Sequence, residues 1–196
     1  PAATEADGCA VFPVPHRTAI RIALAAGEID VRGLPDAASV GRDVNARLAG
    51  ARALAPPAEA TAEEAAASYT RQREDLEALR VDVASTHWRF VIAEELERVD
   101  AADAATFAAH AALDARYEAA ALERAQALVQ THRESKNHNR NLLALGDLYA
   151  AFSRRYAQTF PPSSLGFDPA TFDEYAHSAT RVYEVVPCAT GYAMVT

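Results

Sequence analysis

The chain has 196 residues, nearly a quarter of them alanine, and among its 19 basic residues Lys136 is the single lysine. That length suits one helical domain with irregular ends. Half of the residues are apolar and 23% are charged, which excludes a disordered polyelectrolyte and permits a real core. A net charge of −8 argues against general affinity for nucleic acid or anionic lipid.

Residues 1–20 lack a continuous apolar stretch of secretory length, so an intracellular or organelle-matrix setting is expected over a secreted one. Val11-Phe-Pro-Val-Pro15 reads as an extended, proline-stiffened arm. Short helices are expected at about 16–27 and 36–54, separated by Gly33-Leu-Pro35, so that residues 1–60 form an N-terminal arm. Cys9 and Cys188 lie in opposite ends without metal-site spacing, and two free thiols are expected rather than a bridge.

Between Pro57 and Gly146 there is neither glycine nor proline. These residues interrupt helices at a cost of about 1 and 3 kcal/mol, so their exclusion predicts long helices. Thr61-Ala-Glu-Glu64 has the form of a capping box and marks the start of the first. A seven-residue spacing through Ala62, Tyr69, Leu76, Val83 and Phe90, with Leu79, Thr86 and Ala93 three residues after successive members, forms an a/d stripe. Trp88, Ile92, Leu96 and Val99 form a second apolar face.

The register fails around Asp100–Asp103, where Asp103 reads as the N-cap of a second, alanine-rich helix. The expectation is an all-α fold: a long antiparallel hairpin of about 61–99 and 103–133, plus a third long helix at about 138–160. The helical core thus spans residues 61–160. The third helix carries a seam of Leu142, Leu145, Tyr149, Phe152 and Tyr156. Pro161-Pro162 ends it, and Asp168-Pro169 starts a short helix to about Ser178. Residues 161–196 are therefore a short helix and an extended tail.

Chemistry-bearing motifs are sparse. No Gly-x-Gly-x-x-Gly, Walker motif or Gly-x-Ser-x-Gly elbow occurs, and no pair of Glu-x-x-His elements of the kind a bundle metal site uses. No catalytic residue, cofactor or metal is therefore expected. Residues 136–160 carry a local excess of positive charge from Lys136, Arg140, Arg154 and Arg155, whereas residues 61–100 are acidic. The third helix is expected to lie along the first, using this complementarity.

These features predict a non-enzymatic structural or accessory subunit of a larger multiprotein assembly, either an organellar complex or a viral particle. It would bind other protein subunits as a homo- or hetero-oligomer, without specific nucleic acid and without spanning a membrane. Tyr69, Leu76, Val83, Phe90, Trp88, Arg154 and Arg155 are the candidate partner-interface residues. One alternative is a helix-bundle enzyme or ligand binder with a polar lining of His110, Asp114, Tyr117, His132 and His138. Another is a homodimeric coiled-coil adaptor that pairs through Tyr69, Leu76, Val83 and Phe90.

Overall fold

The computed structural model describes residues 19–24, 27–32 and 37–186. The chain divides into two compact units, Pro1–Gly50 and Ala51–Thr196. The Val11–Pro15 arm, the residues after 186 and both cysteines lie outside the described residues.

The first unit contains two strands, β1 (Ala19–Leu24) and β2 (Gly27–Arg32), and most of α1 (Ala37–Ala53). The helix expected at 16–27 is thus replaced by an antiparallel hairpin whose register pairs Ile20 with Val31 and Ile22 with Ile29. The strand signal is present in the sequence, because Ile20, Ile22 and Leu24, then Ile29 and Val31, recur every second residue. Period two excludes one apolar helical face.

Among the described residues of the second unit all regular structure is helical: α2 (Ala62–Asp82), α3 (Trp88–Leu113), a single 3₁₀ turn (Ala115–Tyr117), α4 (Glu118–Thr131), α5 (His138–Thr159) and α6 (Pro169–Val185). The capping box at α2 forms as its sequence dictates. The Glu64 amide donates to Thr61 Oγ1 at 3.2 Å, and the Thr61 amide donates to Glu64 Oε2 at 2.9 Å. At α6 the Asp168 carboxylate accepts from the Ala170 amide at 3.1 Å, with Pro169 in the first turn. This helix runs on past Ser178 to Val185, because buried Ala179, then Val182 and Tyr183, continue the apolar face of Tyr175.

The hairpin turn falls at residues 83–87, not at Asp100–Asp103. Thr86 organises it: its hydroxyl donates to the Val83 carbonyl at 2.8 Å and accepts from the Trp88 amide at 3.2 Å. The helix then passes uninterrupted through Asp100 and Asp103 and ends at Asp114, whose carboxylate accepts from the Arg116 amide at 3.0 Å. The two very long helices expected at 61–99 and 103–133 are therefore three shorter ones. The longest, α3, has 26 residues and spans about 39 Å.

Successive helices pack pairwise: α2 on α3, α3 on α4, α4 on α5 and α5 on α6. The third expected helix, α5, thus lies against α4 and α6 and not along acidic α2. One end of the unit closes over a shared core of Ala62, Phe107, Ala111, Ala121 and Phe152, onto which Tyr117, Leu148 and Tyr175 pack. Arg155 fastens that end by donating to the Ala111 carbonyl and to Glu118. Between α2 and α3 the core continues through Leu76, Leu79, Ile92 and Val99, all essentially solvent-free. A close approach seats α6: a Cβ added at Gly146 would lie 2.6 Å from the Tyr183 ring. No helix among the described residues is long and apolar enough to cross a membrane.

Candidate functional site

Because α2 and α4 both lean on α3, a cleft of about 480 Å³ opens between them. Its floor is the stretch of α3 at which the apolar register fails. The Asp100 carboxylate accepts from Arg73 Nε at 2.6 Å and lies 2.8 Å from His132 Nε2. The Asp103 carboxylate accepts from Arg73 Nη2 at 3.1 Å and from Arg124 Nε at 3.1 Å. The Arg124 guanidinium lies over the Phe107 ring, 3.5 Å from its centre, and donates to the Ala120 carbonyl at 3.2 Å.

Burial lowers the proton affinity of the Arg73 guanidinium, but the bonds and charges of Asp100 and Asp103 outweigh it and leave the net shift upward. Helices α2, α3 and α4 are thereby stitched by two carboxylates shared among two arginines and a histidine. Apolar walls of Ala93, Leu96, Ala127 and Leu128 complete the cleft, with Arg80 and Glu77 paired at 2.7 Å on its rim.

A second polar cluster lies where α3 meets the α4–α5 turn. Glu97 is buried and accepts from Ser135 Oγ at 2.5 Å, Asn137 Nδ2 at 3.2 Å and Asn141 Nδ2 at 2.9 Å. Burial pushes its proton affinity up, but these three donors and the nearby His132 outweigh that and hold the carboxyl below its ordinary range. The polar run His132–Asn141 is therefore partly enclosed around a buried carboxylate. Glu95 is likewise held low, chiefly by its bonds to Arg52, against burial and with help from Arg98 at 2.8 Å.

Of the interface candidates, Tyr69, Leu76 and Val83 are buried inside the chain, and Tyr69 Oη lies 3.0 Å from Thr106 Oγ1. Phe90 is 62% exposed beneath the Arg89 guanidinium. Trp88 is half-buried against the His87 ring, Arg154 is exposed, and Arg155 is committed to Ala111 and Glu118.

The five residues proposed as a polar lining do not converge. His110 stacks near Tyr117 and Phe107 at the closed end, and Asp114 caps the 3₁₀ turn. His132 reaches the cleft, and the buried His138 Nδ1 has no hydrogen-bond partner. Among the described residues, no group of three or more His, Cys, Asp or Glu side chains is placed to hold a metal ion. The residues missed from sequence are Arg73, Asp100, Asp103 and Arg124. Their signal was the broken register itself, read as a turn when it marks charge buried mid-helix. No family model, curated protein or solved structure matches the chain.

Proposed function

We propose that the chain is a non-enzymatic structural or accessory subunit of a larger multiprotein assembly, held there through the two ends of its helical unit. One observation carries this reading: large apolar side chains remain exposed at both ends, although the chain fills its own core. At the closed end these are Leu113, Phe160 and Leu165, with Leu113 90% exposed. Phe160 belongs to an aromatic chain that runs through Tyr156 to Phe167 and Phe172, with ring centres 5.3–5.8 Å apart. Val81 and Phe90 flank the α2–α3 turn at the other end.

Single exposed apolar residues are ordinary, but clusters at chain reversals, where polar residues are the norm, fit surfaces covered by partners. Other protein subunits are the partners this reading requires, in an organellar complex or a viral particle. The homodimeric adaptor has less support, because three of its four seam residues are already spent inside the chain. The test is replacement of Phe160 and Leu165 by Glu, and separately of Val81 and Phe90. Loss of stoichiometric partners at unchanged melting temperature supports the reading, and full incorporation of both variants refutes it.

A further inference from the structure

We infer that the cleft between α2 and α4 is a binding site for a small organic oxyanion, carrying a carboxylate or a phosphate group on a compact body. The argument rests on which hydrogen-bonding capacity remains there. Both oxygens of Asp100 are engaged, by Arg73 and His132, and both oxygens of Asp103, by Arg73 and Arg124. The floor thus presents aspartates whose charge is already compensated by donors from the chain itself.

Its donors are not exhausted. A guanidinium carries five N–H groups in a rigid fork. Arg73 spends two on the aspartates, and Arg124 spends one on Asp103 and one on the Ala120 carbonyl. Three remain on each, and the side chains are only 34% and 27% exposed. Arg80 adds a further guanidinium at the rim, tied to Glu77 through one nitrogen. Six N–H groups thus remain on Arg73 and Arg124 against about four acceptor sites on the two carboxylates; the complement to that excess is an acceptor-only group, and paired arginines suit carboxylate and phosphate geometry.

Size and walls define the rest of the ligand. About 480 Å³ lies within the range of small-molecule sites and far exceeds a bare ion. Ala93, Leu96, Ala127 and Leu128 offer apolar contact to a carbon skeleton.

The test is calorimetric titration of the full chain with malonate and, separately, inorganic phosphate, at constant ionic strength set with chloride. Saturable one-to-one binding of either probe, with Kd near or below about 1 mM, is expected, and the stronger arm identifies the head group. Arg80→Gln, at the exposed rim, should weaken binding about fivefold or more without altering the fold. Arg124→Lys keeps the charge but loses the fork, and should weaken it further, while remote Arg154→Gln should not. Absence of saturable binding by both probes overturns the proposal. So does equal weakening by Arg154→Gln and Arg80→Gln, which would reduce the effect to general charge.

Discussion

Asp103→Asn separates two roles that this residue could play in α3. As a helix N-cap, Asp and Asn are nearly equivalent, and the substitution would change stability by only a few tenths of a kcal/mol. In the structure Asp103 is mid-helix, 9% exposed, and binds both Arg73 and Arg124. Removing one partner of a buried ion pair costs about 3–5 kcal/mol when the remaining charge is stranded. Here the arginines border a cleft at 34% and 27% exposure, so water recovers part of that. Asn also retains one acceptor oxygen. The expected loss is about 2 kcal/mol, read from urea unfolding at neutral pH by far-ultraviolet circular dichroism. The double variant with Arg124→Gln should then lose less than the sum, with a coupling of about 1 kcal/mol. A loss under about 0.5 kcal/mol, additive with Arg124→Gln, would refute the shared-carboxylate network.

Four further outcomes follow from the packing and the buried charge. Leu76→Ala, at 1% exposure, should cost about 2–5 kcal/mol, and Val83→Glu should unfold the chain rather than dissociate a dimer; concentration-dependent melting of the wild type would argue otherwise. Glu97 is held below its ordinary value of 4.5, so the unfolded state binds more protons in the window beneath that value. The stability it contributes is present above about pH 4.5 and lost as pH falls through the lowered folded value, so the gap between wild type and Glu97→Gln should shrink there. A gap that stays constant down to pH 3 would contradict this. Gly146→Val should unseat Tyr183, break its 2.7 Å bond to Asp147 and loosen α6, seen as faster proteolysis after Pro162; an unchanged cleavage rate would count against the contact.

Much of the helical plan was legible because it is local chemistry. The Thr61 and Asp168 caps, the glycine- and proline-free interval and the Leu142–Tyr156 seam each specify a helix without reference to the rest of the chain. The turn at residues 83–87 was not legible, since it uses Ser85 and Thr86 in place of glycine or proline, and Thr86 also fits the heptad. Asp100 and Asp103 misled for the opposite reason: charge inside an apolar pattern reads as an end, and only packed arginines from α2 and α4 make it an interior. Long-range pairing of that kind has no short-range signature. The hairpin at Ala19–Arg32 did have one, in its strict alternation, which competes poorly with an alanine-rich background.

Whether the chain belongs to an assembly is decided by native-state purification of the tagged chain, with the mass and stoichiometry of the recovered particle measured. The expected product is a particle several times the 21.0 kDa chain mass, with fixed stoichiometry, that loses this chain when Phe160 and Leu165 or Val81 and Phe90 become Glu. Recovery of the wild-type chain alone, as a sharply melting monomer, would contradict it.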